Sequence, residues 1–194
     1  MAPLQCLPVS SAGVFLSPVA FFGASLKPVT SLSFLTYHLV NMSPRSTSLA
    51  LTAAANAIVG KGVKLAVNQD RPDGGKYGMP SSHACSVSFI VSSMFLLGEI
   101  SGKLTAVLGV YGALGLLWRV QTCKHSLLQI VLGATLGFAN ALITWRTKLG
   151  STVERSALTY MGKGWSIWAV LIGGLVVGWR DIEGIVKGKM GKDE

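Results

Sequence analysis

The chain reads as an all-α, polytopic membrane helix bundle of about five to six transmembrane helices, and three observations lead there. Half of its residues are hydrophobic and only 13% are charged, with a mean hydropathy of +0.52. Its apolar runs approach the ~20 residues that a ~30 Å hydrocarbon core demands at ~1.5 Å of rise per residue. Its basic residues sit in the breaks between those runs, so the formal charge of +9 reads as the loop cations of a membrane protein. A nucleic-acid binder would instead show Lys/Arg blocks interleaved with aromatics, and none is present. At 194 residues one domain is expected. The three cysteines, Cys6, Cys85 and Cys123, are too few and too scattered for a disulfide framework or a zinc site; Cys85 and Cys123 read as small packing residues.

Taken in order, residues 1–12 form a weakly ordered tail and residues 13–179 the membrane domain. The first apolar run, Gly13 to Val40, is interrupted by Lys27-Pro28 and reads as one kinked span, with two half-spans as the alternative. His38 near its end reads as an interfacial residue. Asn41 to Thr47 reads as a polar loop, and its Asn-Met-Ser glycosylation match is set aside because Pro44 follows directly. Leu49 to Val67 is the second span, and Asp73 to Met79 a glycine-rich connector. Ser82 to Leu97 is the third span, Leu104 to Leu117 the fourth, and the fifth runs from His125 to about Trp145. A basic loop, Arg146 to Lys163, leads to a short apolar run, Trp165 to Trp179, either spanning or interfacial. Residues 180–194 form a polar tail. No targeting signal of the cleaved secretory kind is indicated.

The chemistry is concentrated at span ends. Lys64 and Arg71 lie seven residues apart, about two helical turns, so they share a face until Pro72 stops the helix. Pro80, Ser81 and Ser82 carry helix-start chemistry, a fixed φ and capping hydroxyls, just before His83. Cations at one helix end and bare amides at the start of the next make an anion site. Arg119 then closes span four and His125 opens span five, with Gln129 one turn further on. Alternating span direction puts all of these on one membrane face. Arg45, Lys103, Arg146, Lys148, Arg155 and Lys163 fall on the other face, which the positive-inside rule makes cytoplasmic. Lys124, beside His125, either adds a phosphate contact or only raises the local potential. Taken singly, each cation is as readily a snorkelling anchor and each histidine a buried or interfacial polar group; their joint spacing points to phosphate chemistry.

Lys64-x6-Arg71-Pro72, Pro80-Ser81-Ser82-His83 and Arg119-x5-His125 together resemble the three-part signature of the type 2 phosphatidic acid phosphatase superfamily, over roughly residues 49–145. These are integral-membrane lipid phosphatases that share a helical core with vanadium haloperoxidases. Three positions depart from the usual pattern: Trp118 replaces Ser, Ser82 replaces Gly, and Gln129 replaces Asp. Gly78 to His83 and the His-x3-Gln are similar to the dolichyl-diphosphatase branch, whereas Trp118 fits neither pattern.

The resemblance implies roles. His125 is the expected nucleophile, forming a phosphohistidine; His83 is the expected general acid; Gln129 orients His125 through Nδ1. Lys64, Arg71, Ser81, Ser82 and Arg119 are the expected phosphate-binding residues. No cofactor or metal is expected, since three cations supply the charge that a metal would bring. The expected substrate is a polyisoprenoid diphosphate, most simply dolichyl diphosphate, cleaved in the endoplasmic reticulum membrane by a lumen-facing site during lipid-carrier recycling for N-glycosylation. The expected partners are therefore the lipid substrate and the bilayer, with no nucleic acid. Phosphatidic acid, lysophosphatidate, sphingoid-base phosphate and short prenyl diphosphates would use the same residues. A catalytically decayed membrane scaffold is the rival class.

Overall fold

The architecture follows from where helices start and stop. The structure, a computed structural model, describes residues 18–41 and 43–160. Among them it is all-helical: α1 (Pro18–Asn41), α2 (Pro44–Val67), α3 (Ser82–Leu96), α4 (Gly102–Gln121), α5 (Leu127–Arg146) and α6 (Leu149–Tyr160). Three of these, α2, α4 and α5, are long and apolar enough to cross a membrane. The expected tails and the 165–179 run lie outside the described residues.

The first run is a single helix that bends by 47° where Val19–Leu26 meets Pro28–Asn41. Pro28 supplies no N–H and its ring crowds the preceding turn, which is the ordinary cause of such a kink. The polar loop expected over 41–47 is mostly helix. Ser43 and Ser46 exchange side-chain-to-backbone bonds in a capping box, and Pro44 occupies the first turn, where its missing N–H costs nothing. The basic loop after α5 likewise contains α6, reached through Lys148 at φ 52.

The third expected span is short. α3 has 15 residues, about 22 Å at ~1.5 Å each, less than a ~30 Å hydrocarbon core. A Schellman turn stops it: Gly98 adopts φ 74, its N–H bonds to Phe95 O, and Glu99 N–H bonds to Met94 O at 2.9 Å. α3 instead stands at the centre of the packing. It packs most extensively on α5, and also on α2 and α4, while α1 packs on α4 and α6 on α2.

Small residues make the α3–α5 contact close. A Cβ on Gly133 would stand 2.5 Å from Ser81 O, and one on Gly137 would collide with Cys85 O. This is how membrane helices gain packing when lipid is as apolar as the side chains. Asn140 donates to Asn56 Oδ1 at 2.8 Å, and Cys85 Sγ contacts the same oxygen, tying α2, α3 and α5 together by a polar bond in mid-bundle. Leu26, Ala84, Leu116 and Ile130 pack at one end, and Leu49, Phe89 and Ala141 at the other. Outward side chains such as Val107, Leu127 and Ile58 are apolar and exposed, as lipid-facing positions are. His38, expected at the interface, is instead fully buried, with neither ring nitrogen hydrogen-bonded.

Candidate active site

The expected site residues converge where α2 and α4 end and α3 and α5 begin. Lys64 lies in the last turn of α2 and is buried. Asn68 then takes the left-handed conformation at φ 45, its N–H returning to Lys64 O at 3.1 Å, and the chain leaves the helix before Arg71. The connector folds back on Arg71, whose N–H bonds to Gly75 O at 2.7 Å, while Gly75 N–H bonds to Asp73 Oδ1. A cis Met79–Pro80 peptide leads into Ser81, the N-cap of α3.

Gln129 is the hub. As the third residue of α5 it completes a capping box with Ser126, so its side-chain oxygen accepts from Ser126 N–H at 3.2 Å. The same oxygen lies 3.2 Å from His125 Nδ1. Its amide nitrogen donates to Asp70 O at 2.9 Å, and its backbone oxygen accepts from Ser81 N–H at 2.9 Å. A backbone donor on one side and a backbone acceptor on the other leave the amide one orientation. His125 Nδ1 must therefore carry the proton, which leaves Nε2 with a lone pair. Gly78 allows this arrangement, because a Cβ there would lie 2.5 Å from Gln129 Nε2 and 2.9 Å from Asp70 O.

His125 is 3% exposed, and its pKa is pushed down to about 4. Burial is the main cause, opposed by the bond to Gln129 and reinforced by the charges of Arg71, Lys64 and Arg119. The imidazole is thus neutral at physiological pH, as a nucleophile must be.

Arg119 Nη2 lies 3.0 Å from His83 Nε2. A guanidinium only donates, so Nε2 of His83 is the acceptor and its proton resides on Nδ1. Among the described residues, Arg71 Nε, Arg119 Nε and Ser81 Oγ are buried donors with no hydrogen-bond partner. Ser82 is half-buried in the first turn of α3. The amide of Ser81 is not available to an anion, since Gln129 O already accepts from it. The N-terminal amides that follow it have no side-chain cap.

Lys124 points elsewhere: it is 57% exposed and pairs with Asp73 at 3.7 Å across the rim. Cys123, read as a packing residue, is disulfide-bonded, whereas Cys85 is free and buried. Trp118 packs on Gly23 of α1, where any Cβ would collide with its indole, so its bulk serves the α1–α4 contact. No group of three or more His, Cys, Asp or Glu comes together among the described residues.

Three participants were not anticipated from the sequence: Ser126, the Asp70 carbonyl and Gly78. Ser126-x2-Gln129 is a legible capping-box pattern. Gly78 shows only as one more glycine of the connector, and the Asp70 carbonyl acts through backbone position and leaves no signal in residue type. No family model matches the chain, and neither the curated proteins nor the solved structures yield a match.

Proposed function

We propose that this chain is an integral-membrane lipid phosphatase that cleaves a polyisoprenoid diphosphate, most simply dolichyl diphosphate to dolichyl phosphate and inorganic phosphate, through a phosphohistidine. The observation that carries this reading is His125, buried and neutral, with Nδ1–H given to Gln129 and Nε2 left as lone pair amid Lys64, Arg71 and Arg119. The buried donors Arg71 Nε, Arg119 Nε and Ser81 Oγ suit the non-bridging oxygens of a phosphoryl group.

In this reading His125 Nε2 attacks the terminal phosphorus, and the bond to the bridging oxygen breaks with its electron pair leaving on the lipid monophosphate. Water then attacks the phosphohistidine, releasing inorganic phosphate and restoring the imidazole. Gln129 holds the tautomer, and the cations offset charge on the equatorial oxygens. The His83–Arg119 contact favours a diphosphate over a monoester. His83 Nε2 accepts from Arg119, so only Nδ1–H can be given to a leaving group. A departing phosphate, with a second pKa of ~6, needs far less protonation than a departing alkoxide.

A tail in lipid and a headgroup at the bundle end suit a long isoprenoid. In this reading the site faces the endoplasmic reticulum lumen and serves lipid-carrier recycling for N-glycosylation. Purified protein in EDTA should release phosphate from dolichyl diphosphate faster than from phosphatidic acid, and His125→Ala should abolish it. Release that persists in His125→Ala removes the nucleophile assignment; release from phosphatidic acid alone moves the protein to the broader lipid phosphate phosphatases.

A further inference from the structure

A cavity with a largely apolar wall and a basic rim lies at the opposite end of the bundle from His125. It has a volume of about 720 Å³ and is walled by the first turns of α2, the end of α3, the end of α5 and the start of α6. This size falls among the ~300–1,000 Å³ of small-molecule sites. Its cations are Arg45, Arg146 and Lys148, and no Asp or Glu lines it. The nearest recorded carboxylate is Glu99, 4.0 Å from Arg45, a long pair on a side chain 66% exposed. Arg146 and Lys148 have no ion-pair partner among the described residues.

The hydroxyls of the wall differ in what they have left to give. Thr52 and Ser151 donate to carbonyls at or beside the start of their own helices, and Thr144 donates to Asn140 O at 2.8 Å. Ser93 does not. It is 5% exposed, it lines the cavity, and its Oγ has no hydrogen-bond partner. A buried hydroxyl without a partner is destabilising unless something in the cavity accepts from it. A wall of three cations, no carboxylate and one uncommitted O–H donor is the inverse of a cation site.

We propose that this cavity binds a phosphate-bearing anion, with Arg146, Lys148 and Arg45 on the phosphate oxygens and Ser93 donating from the floor. Trp145, half-exposed on the same wall, sits where an aromatic ring marks the membrane–water boundary, so a lipid headgroup reaches the site from the bilayer and free phosphate from the water. The site is independent of the chemistry at His125 and lies at the other end of the same helices.

The test uses the full chain in non-ionic detergent and reads the thermal unfolding midpoint against added ligand. Short-chain phosphatidylglycerol is the lipid probe, because its phosphodiester offers no terminal phosphoryl group to His125. Short-chain phosphatidylcholine is the control, and inorganic phosphate the soluble probe. Phosphatidylglycerol, phosphate, or both should raise the midpoint saturably where phosphatidylcholine does not. Arg146→Gln with Lys148→Gln removes two charge-assisted contacts and should weaken the apparent affinity about tenfold or more. Arg45→Gln, on a side chain 66% exposed, should weaken it severalfold. His125→Ala should keep the phosphatidylglycerol shift; inorganic phosphate also meets Arg71 and Arg119 at the other site, so for that probe only the part of the shift lost in the Arg146/Lys148 variant is read. The proposal is overturned if neither probe gives a shift beyond phosphatidylcholine that the Arg146/Lys148 and Arg45 variants reduce, or if the phosphatidylglycerol shift is lost in His125→Ala instead.

Discussion

Replacing Gln129 by Glu keeps an oxygen 3.2 Å from His125 Nδ1 but gives it a negative charge. In the native protein burial holds the imidazole pKa at about 4, against the Gln129 bond and together with Arg71, Lys64 and Arg119. A unit charge ~4 Å away is worth about 4 kcal/mol at an effective dielectric of ~20, or about 3 pKa units, and carboxylate neighbours deliver about 1–3 in practice. Gln129→Glu should therefore move the titration of His125 upward by about 1–3 units. The same change turns a donor into an oxygen facing Asp70 O, where the amide now bonds at 2.9 Å, and should cost about 1–3 kcal/mol of stability. Diethyl pyrocarbonate acylates only neutral imidazole, so its rate on the peptide containing His125, followed by mass spectrometry across pH, reads the titration without requiring turnover. A native midpoint near the ordinary histidine value would refute the burial argument. Superimposable profiles for the native protein and Gln129→Glu would refute the role given to Gln129.

Gly137→Ala places a methyl group against the backbone of Cys85 and Phe89; it should cost about 1–3 kcal/mol, seen as a lower unfolding midpoint, and reduce phosphate release by separating α3 from α5. Gly78→Ala should break the Gln129–Asp70 bond, so amide exchange in the connector and the acylation rate of His125 should both rise while the helical content is kept. Because the folded pKa of His125 lies below its unfolded value of ~6.5, the unfolded chain binds the extra proton between the two. That stabilisation, on the order of 3 kcal/mol, is complete above about pH 6.5 and is lost as pH falls toward about 4. The unfolding midpoint should drop across this window in the native protein and drop less in His125→Ala; equal slopes would contradict it.

Much of the fold was legible because helix ends carry residue-type signals. The Lys27-Pro28 break was visible as punctuation, and the polar breaks between spans located α2, α4 and α5. The start of α2 at Pro44 was missed because Ser and Pro read equally as loop residues, and only the reciprocal Ser43–Ser46 bonds distinguish a cap from a turn. α3 was overestimated as a span because its composition is as apolar as theirs. It is shorter than the spanning helices and packs on α2, α4 and α5, differences that hydropathy does not register.

The sequence by itself determined that the chain is helical and apolar, and that three cations and two histidines fall at or beside the breaks between helices; the helix expected to run to Pro72 stops at Val67, so Arg71 stands in the connector. Hydropathy, proline and capping residues act over one or two turns, so they need no tertiary information. Only the tertiary structure decided the state of those groups. The His125 tautomer follows from a glutamine held between Ser126 N–H and Asp70 O, and the His83 acceptor from Arg119 on another helix. Both depend on α3 and α5 meeting at Gly133 and Gly137, where backbones approach closely enough that a single methyl group would not fit. Hydrogen-bond direction is set by such contacts between distant segments, and residue order alone does not encode them.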